Sequence, residues 1–246
     1  MPHILNIAHR GASGTRPENT LISFRRAMEI GADVIELDTR ATADGIAVIM
    51  HDATVDRTTN ASGRVADLTL EQIKELDAGS WFAPEFAGER VPTLAEAVAL
   101  TGDRVALSLE LKETGVEEQA VAAIRSTANP RSFISSFHEQ CLRRVRELEP
   151  QLTLEFIIGI DPLSEDEIAR LIERTRQLDA RILAPSHRGI TPALVSAARM
   201  AGLTLIGWTV DQPEQMQRLI ELGVDGITTN RPEVLKDLLE TKGGCT

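Results

Sequence analysis

Apolar residues in this chain fall into short β-rich runs separated by longer stretches with helical spacing. Runs at 4–8, 33–38, 104–109, 131–136, 152–158, 181–184, 203–208 and 224–229 predict eight strands. Between most of them, apolar residues recur three and four apart, as at Leu21, Phe24, Ala27 and Met28, or at Met216, Leu219 and Ile220. Boundary residues reinforce the pattern. Gly31, Gly202 and Gly223 each follow a helical stretch and precede a strand, where a left-handed residue ends a helix. Ser164 with Glu167 spells a capping box, and Thr191-Pro192 places an N-cap before a proline at the first helical position. Asp211 and Asn230 are expected to cap the last two helices. Strands alternating with crossover helices predict an α/β fold, with the eight strands closed into a barrel.

One stretch breaks the rhythm. From Thr39 to Pro92 the chain passes through Asp44-Gly45, a second apolar run at 46–50, a helical stretch near 69–76 and the aromatic Trp81 to Phe86. An ordinary connection between a strand and a helix takes about 2 to 6 residues. The excess, placed at approximately 52–92, reads as an insertion after the second strand within one domain spanning 1–246. It is either a cover over the pocket or a stabilising flap.

Composition narrows the class. With 42% hydrophobic and 26% charged residues the chain is neither disordered nor membrane-spanning, and no run approaches the roughly 18 to 20 apolar residues of a transmembrane helix. The opening seven residues do not read as a secretory signal, which predicts the cytoplasm. The net charge of -11 argues against nucleic acid as a partner. It also requires any anion-binding pocket to carry its own positive charge. Neither Cys141 nor Cys245 belongs to a metal or redox motif; Cys141 reads as a small apolar helix residue, and Cys245 lies in a Gly-rich tail.

Polar residues cluster where apolar runs stop. His9-Arg10-Gly11 follows the first run, Glu36 and Asp38 close the second, and His51-Asp52 follows 46–50. Strand ends of this kind line the crevice where α/β proteins bind ligands. Residues two apart on a strand share a face, so Glu36 and Asp38 converge, and Glu110 at the end of the third strand adds another carboxylate. Such oxygens either cap loops or hold a hard divalent cation, Mg2+ or Ca2+. His9 and His51 are the acid–base candidates, because imidazole titrates near neutrality. Arg10 and Lys112 can grip an anion, although Lys112 can equally pair with Glu110 or Glu113. Trp208 and Phe137 either wall a pocket or fill the barrel top.

HRGASGTRPENT at 9–20, IELDTRATADGIAVIMHD at 35–52 and DRTTNASG at 56–63 are followed by SLELK at 108–112, SSF at 135–137, GWTVD at 207–211 and DGITTNRP at 225–232. In these landmarks and their order the chain resembles the glycerophosphodiester phosphodiesterase family. The resemblance implies a TIM (β/α)8 barrel with a small insertion after the second strand. It implies His9 and His51 as general acid and base, Glu36, Asp38 and Glu110 as ligands of one divalent cation, and Arg10 and Lys112 as phosphoryl-binding residues. Trp208 would line the glycerol side, and Phe137 is the further substrate-binding candidate. Glu18 and Asn19 in the PENT element would orient the first-strand loop and the surroundings of His9. The reaction implied is hydrolysis of a small-molecule glycerophosphodiester to glycerol 3-phosphate and an alcohol: the glycerol 2-hydroxyl attacks phosphorus, and water opens the cyclic product. The rivals are a phosphodiesterase for lysophospholipids, with Trp81 to Phe86 as the apolar surface, and a noncatalytic phospho-ligand-binding barrel. Oligomeric state is not encoded in these motifs.

Overall fold

The computed structural model describes residues 3–127 and 129–243; Cys245 lies outside them. The chain runs β1 (Leu5–His9), α1 (Leu21–Ile30), β2 (Val34–Ala41), β3 (Ala47–Ile49), α2 (Leu70–Glu75), α3 (Leu94–Thr101), β4 (Ala106–Leu111), α4 (Glu117–Ser126) and β5 (Phe133–Ser136). It continues α5 (Glu139–Leu148), β6 (Leu154–Ile158), α6 (Glu165–Gln177), β7 (Ile182–Pro185), α7 (Pro192–Met200), β8 (Thr204–Gly207), α8 (Pro213–Leu222), β9 (Gly226–Thr229) and α9 (Pro232–Gly243). Eight of the strands pair in parallel in the order β1-β9-β8-β7-β6-β5-β4-β2, and β1 pairs with β2 to close the ring. The fold is a TIM barrel with an insertion. Strand β3 lies outside the ring, antiparallel on β2, after a turn in which Gly45 takes φ 77°.

Period-two alternation sorts the strand side chains. Outward residues such as Ile35, Leu37, Leu107, Leu109, Leu111, Leu154 and Phe156 meet the apolar faces of the helices in the main core. Inward residues Ile7, Val34, Ala106, Phe133, Ile157, Ile182, Ala184 and Ile206 fill the barrel interior. Two residues further along several of the same strands the inward positions turn polar: His9, Glu36, Ser108 and Ser135. The barrel is thus plugged below and polar above, which places chemistry at the carboxyl ends of the strands.

The helices end as their sequences direct. Gly31, Gly202 and Gly223 all adopt left-handed φ angles, Ser164 and Glu167 form the capping box, and Thr191 accepts from the Leu194 amide. Two expected caps are corrected. Helix α8 starts from Gln212 without a side-chain cap, and the Asp211 carboxylate instead accepts from Thr229 Oγ1, the Asn230 amide and Asn230 Nδ2. Asn230 faces His9 rather than the start of α9. Both residues are drawn across the strand ends because Asp211 follows β8 and Asn230 follows β9, neighbouring strands of the ring.

Strand limits also shift where pairing overrides hydrophobicity. Strand β4 lies two residues beyond the run at 104–109, because its ladder with β2 extends from Val34↔Ala106 to Thr39↔Leu111. Glu110 is therefore inside the ladder, opposite Asp38, instead of at its end. Strand β5 starts at Phe133 because Asn129 Oδ1 accepts from the Arg131 amide and holds the preceding residues in a turn.

The inserted segment builds its own small core from Val48, Met50, Val55, Val65, Ile73, Ala78 and Val91. Trp81, Phe82 and Phe86 pack edge to face, and the Arg16 guanidinium lies 5.4 Å from the centre of the Phe86 ring. Among the described residues, no helix is long and apolar enough to cross a membrane.

Candidate active site

The end of β1 is shaped by backbone conformation. Arg10 and Gly11 take φ 56° and 79°, the left-handed region that a side chain tolerates poorly. A Cβ on Gly11 would lie 2.3 Å from Ser23 Oγ, so glycine is required for the loop to lie against α1. The turn aims the Arg10 amide at Glu36 Oε2, 2.9 Å away. It also brings Arg10 Nε within 3.1 Å of Asp38 Oδ2.

The surroundings of His9 fix its proton. Nδ1 is 2.7 Å from Asn230 Oδ1, while Asn230 Nδ2 donates to Asp211 Oδ2 at 2.7 Å and Ser13 Oγ donates to Asn230 Oδ1. Asn230 therefore turns its oxygen to His9, Nδ1 carries the hydrogen, and Nε2 retains a lone pair. Burial, aided by the adjacent Arg10 charge, lowers the His9 pKa to about 4 and keeps the ring neutral. Sequence reading missed Asn230 and Asp211 in this role; GWTVD and DGITTNRP carried them, but helix starts were the nearer explanation.

Strands β2 and β4 gather Glu36, Asp38 and Glu110, each buried, with one oxygen from each within 4.8 Å of the others. Lys112 Nζ contacts Glu110 Oε1 at 2.5 Å and Asp38 Oδ1 at 2.9 Å, and Asn19 Nδ2 donates to Asp38 Oδ2 at 2.7 Å. Asn19 thus orients a carboxylate of the cluster as well as the loop, where its amide donates to the Arg10 carbonyl. Glu113, the other expected partner of Lys112, pairs with Arg40 instead. Glu36 Oε1 is buried without a hydrogen bond, and Asp38 Oδ1 has the Lys112 ion pair as its partner.

Charge crowding explains the titration of the cluster. Burial pushes Asp38 upward, but Lys112 and Arg10 outweigh it and hold this carboxyl below its usual range. Glu36 is raised well above its ordinary value by burial and by the charges of Asp38 and Glu110. Glu110 is raised to about 7 by burial and by Asp38. Three hard oxygen donors, the unpartnered Glu36 Oε1 and mutual repulsion suit a single divalent cation, Mg2+ or Ca2+.

His51 reaches the site from the other direction, just past β3. Its Nδ1 is 2.6 Å from Asp52 Oδ1, and burial lowers the imidazole pKa. Asp52 Oδ2 accepts from Arg57 Nε at 2.6 Å, and that hydrogen bond holds Asp52 down at about 2. Arg57 also forks onto Glu18, whose Oε1 accepts from Arg10 Nη1 at 2.8 Å. One guanidinium from the insertion therefore ties His51 to Arg10 through two carboxylates. If the insertion positions the site in this way, Arg57→Ala lowers kcat/KM by roughly ten- to a hundredfold. Lysine restores only part of it, since an ammonium cannot fork. Steady-state kinetics with unaltered kcat/KM in the alanine variant would contradict this link.

His9, Arg10, Glu36, His51, Glu110, Lys112, Phe137 and Trp208 line one cleft with a cavity volume of about 110 Å3. Phe137 and Trp208 meet edge to face at 5.3 Å, and Trp208 Nε1 donates to the Ala184 carbonyl, so both aromatics wall the cleft on a fixed framework. Trp81, Phe82 and Phe86 are absent from its lining. His3 pairs with Asp33 at 3.0 Å, and buried Cys141 packs in the main core; burial raises its thiol to about 11. Glu155, inward on β6, lines the cleft and had no part in the sequence reading. Burial and the nearby Glu110 charge push it up to about 8. Only its position beside Ser135 in the strand ladder marks it, and that pairing is invisible in the sequence.

Comparison with known proteins places this arrangement. The profile of the glycerophosphoryl diester phosphodiesterase family matches residues 9–234. The chain is 44% identical over 247 residues to the glycerophosphodiester phosphodiesterase of Caldanaerobacter subterraneus subsp. tengcongensis, covering 98% of this chain and 99% of that one. Its fold matches an Oleispira antarctica phosphodiesterase, solved in complex with the product sn-glycerol-3-phosphate, with TM-score 0.85, 30% identity and coverage of 98% and 97%. A putative glycerophosphoryl diester phosphodiesterase from Silicibacter pomeroyi gives TM-score 0.84 at 29% identity, covering 99% of this chain and 95% of that one. With the match running almost from end to end, the chain belongs to the glycerophosphoryl diester phosphodiesterase family.

Proposed function

We propose that His9 and His51 are the acid–base pair in a cation-assisted hydrolysis of glycerophosphodiesters to glycerol 3-phosphate and an alcohol. The observation that carries this reading is the charge pattern of the cleft. Three carboxylates facing Arg10 and Lys112 leave one formal negative charge, which a divalent cation converts to one positive. That is the complement of a phosphodiester monoanion.

Glu36, Asp38 and Glu110 would hold the cation, which would supply positive charge to offset that of the phosphoryl group. Arg10 forks onto the phosphoryl group and Lys112 supplies a point charge beside it. His9 Nε2, the free lone pair, accepts the proton of the glycerol 2-hydroxyl as that oxygen attacks phosphorus. His51 delivers a proton to the departing alkoxide, its ring held by Asp52. Water then opens the cyclic phosphodiester with the two roles reversed. Phe137 and Trp208 shield the glycerol carbons.

Residues 1–246 act as one catalytic domain in this reading, with the insertion at 52–92 supplying Asp52 and Arg57. We place the enzyme in the cytoplasm. The test is to supply glycerophosphocholine with Mg2+ or Ca2+ and measure glycerol 3-phosphate. Release is expected to require the cation and to exceed turnover of a lysophospholipid. Preference for the lysophospholipid would reassign the substrate, and binding without turnover would reduce the protein to a phospho-ligand receptor.

A further inference from the structure

Glu155 takes no part in the chemistry above, yet it is among the most buried charged residues of the cleft, at 5% exposure. Its strand neighbours settle its direction. Leu154 and Phe156 pack outward against the helices, whereas Glu155 and Ile157 face the interior and line the cleft. Its hydrogen bonds come from two neutral hydroxyls, Ser108 Oγ at 3.4 Å from Oε2 and Ser135, and Ser108 Oγ lies 3.2 Å from Ser135 Oγ. A carboxyl buried with only hydroxyl partners keeps further hydrogen-bonding capacity for a ligand in the cleft. It does not belong to the carboxylate cluster formed by Glu36, Asp38 and Glu110.

The surroundings limit what that ligand can be. Arg10 and Lys112 line the cleft and suit an anion, while Phe137, Ile157, Ala184 and Trp208 give it an apolar wall. Glu155 lies beside Ser135 in the strand ladder and near the charge of Glu110, which disfavours a further anion at this position. A ligand that packs on the apolar wall therefore meets Glu155 best with a neutral hydroxyl that both gives and takes a hydrogen bond. The terminal hydroxyl of a glycerol unit has this character.

Building on the hydrolase reading above, we propose that Glu155 is a specificity residue that hydrogen-bonds the free terminal hydroxyl of the glycerol unit and so selects glycerol over diols lacking it. A site built around a substrate hydroxyl discriminates strongly against the analogue without it, because its own polar group is left unpaired. Glutamine preserves an acceptor and a donor at this position, whereas leucine removes both.

The experiment compares kcat/KM for glycerophosphocholine with that for the phosphocholine diester of 1,2-propanediol, which keeps the attacking 2-hydroxyl and lacks only the terminal one. Wild type is expected to favour the glycerol substrate by roughly ten- to a hundredfold. In Glu155→Leu the preference should shrink to within about threefold, mainly through KM for the glycerol substrate, while Glu155→Gln retains most of it. Because preference is a ratio within one preparation, partial misfolding of the leucine variant does not alter it. Wild-type preference surviving in Glu155→Leu overturns the assignment, as does its loss in Glu155→Gln with unchanged kcat on the propanediol substrate. Failure of wild type to cleave either diester overturns the hydrolase reading itself and the assignment with it.

Discussion

His9→Ala is expected to lower kcat by about 100- to 10,000-fold, the usual loss when a positioned acid or base is removed, while KM moves little. The argument rests on the proton rather than on proximity. Asp211 accepts two hydrogen bonds from Asn230, which fixes the amide, and the amide oxygen in turn demands a hydrogen on Nδ1 of His9. The lone pair on Nε2 follows. Asn230→Ala removes that demand without touching the ring, so it should cost about tenfold in kcat through loss of the correct tautomer and orientation. The pH profile separates the histidines further. Neutral His9 is lost only as pH falls through about 4, so an acid limb nearer neutrality cannot come from its titration. Full activity in a folded His9→Ala variant, checked by circular dichroism, would remove His9 from the proton transfers.

The strand-end polar residues were legible because period-two alternation is strict. Once 33–38 is read as a strand, Glu36 and Asp38 must share a face, and they do. The barrel itself followed from eight β-rich runs with helices between them, and Lys112 followed Glu110 onto the same side. What escaped was set by contacts between distant segments. Asn230 and His9 lie 221 residues apart and meet only because β9 pairs with β1. Asp211 and Asn230 sit just before helices, so local propensity offered them a capping role that tertiary bonding overrode. Arg57 lies in the DRTTNASG landmark, but nothing in that motif pointed to its role. Its reach to both Glu18 and Asp52 depends on how the inserted segment folds over its own core. Glu110 was identified, but its depth was not, because hydrophobicity ends a run where a hydrogen-bond ladder continues.

Removing the cation should abolish turnover, and the carboxylates explain how loading and stability respond to pH. Without the ion, Glu36 and Glu110 are held above their ordinary pKa by burial and by each other's company with Asp38. A carboxyl raised in the folded state binds its proton more tightly there than in the unfolded chain. Its contribution favours folding below the unfolded value near 4.5 and is lost as pH rises through the folded value, about 7 for Glu110. The chelated protein should therefore lose thermal stability from these groups between roughly pH 4.5 and 7. A bound divalent cation reverses the sign by favouring the ionised forms, so the gain in Tm on adding Mg2+ or Ca2+ should grow with pH across that window, with protons released on binding. Glu36→Gln takes away one anionic donor and relieves the repulsion at the same time. It should raise Tm of the chelated protein at pH 8, weaken cation affinity by about tenfold or more and depress kcat/KM at limiting cation. Calorimetry showing unchanged cation affinity in Glu36→Gln, or a cation-induced gain in Tm that does not depend on pH, would place the ion elsewhere than among these three carboxylates.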